Sequence, residues 1–443
     1  MVYDREKRGI DSLPFEKISK VHVVGAGLAG SETIWQLVKC GLKVNVHEMK
    51  IIRKSPVHVS NDFAELVCSN SLKSVELTNA EGLLKEEMSL CDSLVLKCAY
   101  ENRVPAGKAL AVDRNAFSKC VTETLLGTGL IEITWEEVEA PSADGIWVIA
   151  TGPTTNGKLA EWIRNETGGF FNFFDAIAPI IDADSIDMSV CFIGDRYGVG
   201  SGDYINCPMN KEEYELFWNE LINAQVIEMR DFDRKMLFER CQPIEEIARS
   251  SKDAMRYGPF KPVGLIDPRN GKEPYAVVQL RKENIKGSMY NVVGFQTRLK
   301  WGEQKRIIQL IPGLQNAQIL RYGVMHRNSY IDSPKVLDRF LRLKKKTNVF
   351  FTGQITGVEG YVESAMTGIY VGMNISRMFS GKEMISFPVD TMCGALINYI
   401  TTANELKPMY ANFGLLGGTK DREKIARHSL DMMNRFLEEV KRK

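Results

Sequence analysis

Val21-His22-Val23-Val24-Gly25-Ala26-Gly27-Leu28-Ala29-Gly30-Ser31-Glu32-Thr33-Ile34-Trp35-Gln36-Leu37-Val38 decides the fold. The β-branched opening reads as a buried strand, and a Gly-x-Gly-x-x-Gly turn follows at once. Ile34, Leu37 and Val38 then recur at helical spacing, and Gly41 closes the helix. Leu42, Val44 and Val46 alternate as a second strand that ends at Glu48. Strand, glycine turn, helix and strand form the first unit of a dinucleotide-binding α/β domain. Gly25 permits the tight turn, Gly27 lets the backbone approach a pyrophosphate, and Gly30 lets the helix pack close to the strand. Ala26, Leu28 and Ala29 complete a loop whose N–H groups at the helix start face phosphate. Glu48 follows the first glycine at the distance of a ribose-binding carboxylate.

Outward from this unit, a helix is expected over Gly82 to Leu96, and strands over Ile131 to Thr134 and Trp147 to Ile149. The second strand runs into Ala150-Thr151-Gly152, which resembles the turn found between the two halves of many FAD-binding domains. From Asn172 to Tyr330 short β-like runs mix with polar helices. At Asn348 to Gly353 the strand-then-glycine texture returns, and a small-residue helix follows through Val362 to Met378. The expected architecture is therefore α/β. A discontinuous Rossmann-like FAD-binding domain takes residues 21–171 and 331–443, an inserted α+β domain takes 172–330, and 1–20 form a leader. Gly353, Gln354, Gly357, Glu359, Gly360 and Tyr361 end a strand and open a helix. That helix N-terminus suits an isoalloxazine ring, and with Gly152 it favours FAD over NAD. A second glycine run, Gly198 to Gly202, lacks the flanking strand and helix of an NAD(P)H domain.

Composition excludes other classes. Lys and Arg number 57 against 56 Asp and Glu, so the chain does not bind nucleic acid by bulk charge. Local excesses do occur. Lys335, Arg339, Arg342, Lys344, Lys345 and Lys346 stand against Asp338, and Arg298, Lys300, Lys305 and Arg306 against Glu303 with Trp301 among them, an RNA-like footprint. No apolar run reaches membrane-span length, and the charged first twenty residues have no signal-like apolar core. The nine cysteines are scattered, odd in number and without a CxxC pair. A disulfide framework, a zinc site or any other metal site is not expected, and the chain reads as cytoplasmic with reduced thiols. Cys40, Cys91, Cys98 and Cys120 are expected as buried apolar residues, whereas Cys68 and Cys241 have polar neighbours and suit accessible thiols.

Longer segments carry a family resemblance. Phe63 to Ser71, GLLKEEM from Gly82, Ala111-Val112-Asp113-Arg114, YINCPM (Tyr204 to Met209), CQPIE (Cys241 to Glu245), LKWGEQKR (Leu299 to Arg306), RYGVMHRNSY (Arg321 to Tyr330) and GQITGVEGYVESA (Gly353 to Ala365) lie in one order along the chain. They resemble the folate- and FAD-dependent tRNA uracil-5-methyltransferases. The resemblance implies FAD reduced by NADH or NADPH, 5,10-methylenetetrahydrofolate as carbon donor, and uracil C5 in RNA as acceptor, with transfer RNA favoured. It implies Cys241 as the nucleophile that adds to uracil C6, and Cys68 as a second catalytic thiol near the flavin. It places His326 against the pterin ring of folate, and offers Arg281 and Arg298 to the folate glutamate tail or RNA phosphate. The pattern departs at Lys108, Val199, Ser201, Arg240 and Gln242. That leaves a large-subunit ribosomal RNA uridine as an alternative substrate of the same chemistry. A wobble-uridine modification flavoprotein and a non-methylating flavin- and folate-binding protein are further alternatives.

Overall fold

The computed structural model describes residues 20–55, 58–198, 200–227, 242–418 and 420–442. Cys241 lies outside them. The strands in chain order are β1 (Val21–Val24), β2 (Val44–Glu48), β3 (Ser71–Ser74), β4 (Arg103–Val104), β5 (Ala109–Val112), β6 (Ile131–Trp135), β7 (Ile146–Ile149), β8 (Phe171–Ala176), β9 (Ile180–Asp182), β10 (Phe192–Ile193), β11 (Tyr204–Met209), β12 (Ala276–Lys282), β13 (Met289–Val292), β14 (Ile319–Arg321), β15 (Met325–Tyr330) and β16 (Val349–Phe351).

A five-stranded parallel sheet in the order β16, β7, β1, β2, β6 forms the first layer, with Val21 opposite both Val44 and Ile146. Every residue of β7 and β16 is buried, because helices cover both faces of a parallel sheet. The Leu28–Val38 helix packs against the Tyr361–Phe379 helix through small residues. A side chain at Gly368 would come within 2.2 Å of the Ala29 carbonyl oxygen, so only glycine allows this approach. The start and end of the chain therefore share one core, with Val23, Ile34, Phe350, Ile369 and Met433 in it.

The inserted part is an antiparallel six-stranded sheet in the order β10, β11, β12, β13, β9, β14, over a separate core that includes Phe217, Phe260, Leu280 and Phe295. The chain leaves the first core along β8 and returns along β15, which pair antiparallel. A small sheet, β3, β5, β4, lies beside the glycine loop's domain.

One expected element splits. In place of one helix over Gly82 to Leu96 there are two, Ala80–Leu90 and Leu94–Glu101. Asp92 takes φ +59°, which no helix interior accommodates, and the Ser93 side chain then accepts the Leu96 N–H. A distant carboxylate completes this start. Buried Glu32 accepts the Val95 N–H at 2.9 Å, the Leu94 N–H at 3.2 Å and the Ser93 hydroxyl.

Burial, opposed by those hydrogen bonds, pushes Glu32 from 4.5 up to about 7. The folded carboxyl thus holds its proton over a range in which the unfolded one has lost it. Its stabilising contribution is full below about pH 4.5 and is lost as pH rises through about 7, at most about 3 kcal/mol. Glu87 is also raised, mainly by burial, and acts in the same direction. Melting temperature is therefore expected to fall between pH 5 and pH 7.5. Glu32→Leu, although less stable overall for want of the helix cap, should show a shallower slope across that window. An unchanged slope would remove Glu32 from this account.

Candidate flavin and thiol site

The glycine loop has three steric requirements, and they differ. Gly25 has φ +92°, and a Cβ there would sit 2.8 Å from the Ala150 carbonyl oxygen. A Cβ on Gly30 would sit 2.0 Å from the Gly25 carbonyl oxygen. A Cβ on Gly27 would meet nothing within 4 Å. Gly27 is the N-cap of the Leu28–Val38 helix, and no side chain caps it. The loop thus presents a bare helix N-terminus to open space, the cradle that a dinucleotide pyrophosphate fits. Glu48 does more than sequence spacing suggests. One carboxylate oxygen accepts the Ala26 N–H at 2.9 Å, and the other accepts those of Met49 and Lys50 at 2.8 and 3.1 Å. It staples the loop to the end of β2.

The late segment comes to the same place. The Thr352 N–H bonds the Ile149 carbonyl at 3.0 Å, beside Ala150-Thr151-Gly152. Gly353 has φ +87°, its N–H reaches Thr367 Oγ1 at 2.7 Å, and a Cβ there would lie 3.1 Å from Ala29 Cβ. Gln354 donates to Glu359, and a side chain on Gly357 would strike Leu406. Gly360, at φ +118°, is the N-cap of the Tyr361–Phe379 helix, again without a side-chain cap. Two bare helix N-termini, from opposite ends of the sequence, therefore belong to one packed helix pair.

The Cys68 segment is tied to both. The Ala64 N–H bonds the Ala26 carbonyl in the glycine loop at 2.8 Å. The Tyr361 hydroxyl oxygen accepts the N–H groups of Cys68 and Ser69 at 2.5 and 3.1 Å. Arg114 donates to the carbonyls of Leu66 and Cys68 and pairs with Glu283 at 2.9 Å. Arg321 donates to the Val67 carbonyl at 2.8 Å. Burial first, then the nearby Cys68 charge, pushes the Tyr361 phenol well up, so it stays protonated. Burial and then Arg114 pull Arg321 down. Two guanidinium groups beside a cysteine segment are the surroundings that nucleophilic thiols use. In the sequence, Arg114 and Arg321 stand out only as members of the segments that carry the family resemblance.

The structure gives Arg281 a partner that the sequence does not suggest. Its guanidinium is buried and donates to Asn70 Oδ1 at 3.0 Å and Ser69 Oγ at 2.8 Å, so β12 of the inserted sheet clamps the Cys68 segment. Arg298 departs from its expected exposure. It is 1% exposed, pairs with Glu245 and Glu246 and donates to the Ile227 carbonyl, all within the inserted domain. His326 lies on β15 opposite Asp175 of β8. Ile227 and Ile244, described residues that precede and follow Cys241 in sequence, both bond the inserted domain. The Ile227 N–H bonds the Arg298 carbonyl at 2.8 Å, and the Ile244 N–H bonds the Gln296 carbonyl at 2.7 Å.

Other expectations change. Cys91 and Cys98 are buried as expected, but Cys40 is exposed past the end of its helix and Cys120 is half-buried. Acids offset much of the two basic runs: Asp332 pairs with Lys335, Asp338 with Arg342, Glu166 with Lys346, and Glu220 and Glu303 with Arg306. Trp301 is exposed and stacks on Tyr322 at 5.3 Å. A cavity of about 1180 Å³ beside Asn398, Tyr399, Lys424 and His428 includes none of the residues described above.

Tyr361→Phe should leave two N–H groups without their acceptor, at a cost of about 1–3 kcal/mol for each that stays buried. Its melting temperature is expected to drop while FAD content is kept. An unchanged melting temperature would mean that the Cys68 segment finds another acceptor.

The parallel sheet, the uncapped phosphate loop and the late glycine-led helix define a dinucleotide-binding flavoprotein with an inserted domain. The family model for glucose inhibited division protein A matches residues 20–383. A Fervidobacterium nodosum protein named methylenetetrahydrofolate–tRNA-(uracil-5-)-methyltransferase TrmFO is 76% identical over 418 residues, covering 94% of this chain and 97% of its own. A Thermotoga maritima protein of the same name is 58% identical, covering 95% and 99%. The solved structure of Aquifex aeolicus GidA matches the fold with a TM-score of 0.67 at 16% identity, over 96% of this chain and 76% of that one. The chain belongs to the glucose inhibited division protein A family, within its TrmFO branch. No helix among the described residues is long and apolar enough to cross a membrane.

Proposed function

We propose that this protein is a flavin-dependent methyltransferase acting on uracil C5 of a transfer-RNA uridine. The carbon comes from 5,10-methylenetetrahydrofolate, and NADH or NADPH is the reductant. The observation that carries the reading is 76% identity, across 94% of the chain, to a protein bearing that name. The cradle described above fits FAD. Gly25 to Gly30 would hold the pyrophosphate, Glu48 shapes the loop and would meet the ribose, and Gly152 with the Gly353–Tyr361 segment would receive the ring. When bound, FAD supplies electron transfer and relay of the one-carbon unit.

The chain's own residues do the rest. Uracil C5 is a weak nucleophile. Addition of the Cys241 thiolate at C6 places negative charge on C5 and O4 and holds the base in position. Cys68 stands on the flavin side, its backbone held by Tyr361 and Arg114, with Arg321 on the adjoining Val67 carbonyl. His326 stacks on the folate pterin. Arg281 acts as a positioning residue that fixes the Cys68 segment on the inserted sheet. The protein works in the cytoplasm.

The test is a methylation assay with purified protein, FAD, NADH or NADPH and carbon-labelled methylenetetrahydrofolate. Unmodified transfer RNA and ribosomal RNA fragments are offered together. Label mapped to a uridine of the transfer-RNA T-loop is the expected result. Label confined to ribosomal RNA would transfer the same chemistry to the other substrate, and no label in either would reject methylation.

A further inference from the structure

Cys98 and Cys120 make none of the site's contacts described above, and they project toward each other from two neighbouring helices. Cys98 lies on the Leu94–Glu101 helix and is 1% exposed, and Cys120 lies half-buried on the Arg114–Gly127 helix. Their sulfur atoms are 2.6 Å apart, with Glu101 Oε2 3.5 Å from the Cys120 sulfur. The molecule holds its own comparison. Cys191 and Cys207 also face each other, at 3.5 Å, but both are buried and neither sulfur offers an entry for a reagent.

We propose that Cys98 and Cys120 are an oxidisable pair, closed to a disulfide by exchange with a small-molecule disulfide, that clamps the helix carrying Arg114. Accessible Cys120 reacts first. Its thiolate attacks the small disulfide, one S–S bond breaks, one small thiol leaves, and a mixed disulfide forms. The Cys98 sulfur then attacks the Cys120 sulfur and expels the second small thiol. Two protein thiols are oxidised, one small disulfide is reduced to two thiols, and the two protons pass to the departing thiolates, with the Glu101 carboxylate nearest to Cys120. Burial raises the Cys98 thiol, in keeping with its acting second.

The position gives the bridge a consequence. The Asn102 N–H bonds the Cys98 carbonyl at 3.1 Å, and the Asp113 N–H bonds the Asn102 carbonyl at 2.9 Å. Arg114, next in the chain, reaches the Leu66 and Cys68 carbonyls. The bridge would close a loop of over twenty residues, long enough for a cross-link to restrict the unfolded chain appreciably.

The full-length, FAD-loaded protein is incubated with oxidised glutathione or with dithiothreitol, denatured in iodoacetamide, digested and weighed. The expected result is a Cys98–Cys120 linked peptide two hydrogens lighter than the reduced pair, with Cys191 and Cys207 alkylated. Melting temperature should rise by a few degrees on oxidation. Cys120→Ser should show neither effect and should keep the FAD content of the parent. Full alkylation of Cys98 and Cys120 after oxidation, with glutathione captured only at exposed Cys40, would overturn the proposal. So would stoichiometric zinc in the purified protein that is lost in Cys120→Ser, because the Cys98, Glu101 and Cys120 donor atoms all lie within 4.8 Å of one another. A cross-link without any change in melting temperature would overturn the clamp.

Discussion

Gly27→Val is expected to give a folded, colourless protein. Gly27 has φ −70°, which valine adopts without strain, and a Cβ there meets no protein atom within 4 Å. The substitution therefore places its methyl groups in the space above the Leu28–Val38 helix start, where a pyrophosphate must approach the backbone N–H groups. Loss of that approach removes several charge-assisted hydrogen bonds and the favourable end of the helix dipole. A weakening of FAD binding by at least about 100-fold, or about 3 kcal/mol, is the expected size. Gly30→Val is the informative contrast. Its Cβ would lie 2.0 Å from the Gly25 carbonyl oxygen, so the helix must leave the strand and the fold itself should suffer. Far-UV circular dichroism, bound flavin per chain and titration with FAD separate the two outcomes. A Gly27→Val protein that purifies fully flavinated would refute the phosphate-loop reading.

The difference between these two glycines shows which parts of the site are legible in sequence. The loop, β2 ending at Glu48, and the late strand-to-helix junction are local. Each announces itself by spacing over a few residues, since backbone geometry fixes which residue types fit. The Cys68 surroundings are not local. The Tyr361 hydroxyl meets the Cys68 N–H across 293 positions, and Arg281 meets Asn70 across 211. No periodicity relates such pairs, because tertiary packing alone brings them together. The break at Cys91-Asp92-Ser93 escaped for the same reason. The apolar pattern runs on through it, whereas the cap that permits a new helix comes partly from Glu32, on a different helix. Charge alone suggests a surface contact for Arg298, but its acidic partners Glu245 and Glu246 lie too far away in sequence for spacing to reveal the pairing.

Cys241→Ala should abolish methylation and leave FAD bound. Without thiol addition at C6, uracil C5 carries too little electron density to take a one-carbon unit, and a fall in turnover of at least about 1000-fold is expected. Flavin content should hold because the phosphate and ring cradle is built from the Gly25–Gly30 loop and the Gly353–Tyr361 junction, whereas the described residues Ile227 and Ile244 bond Arg298 and Gln296 of the inserted domain. Cys68→Ala makes a different comparison, since the Cys68 segment touches both the glycine loop and Tyr361. It should lower turnover while leaving the addition to uracil intact. RNA carrying 5-fluorouracil at the target position separates the roles, because fluorine at C5 cannot leave as a proton does and the thiol adduct accumulates. Wild type and Cys68→Ala should then give a protein–RNA adduct that survives denaturation, and Cys241→Ala should give none. An adduct formed by Cys241→Ala but lost in Cys68→Ala would reverse the two assignments. The positive field of Arg114 and Arg321 at Cys68 would then belong to the nucleophile itself.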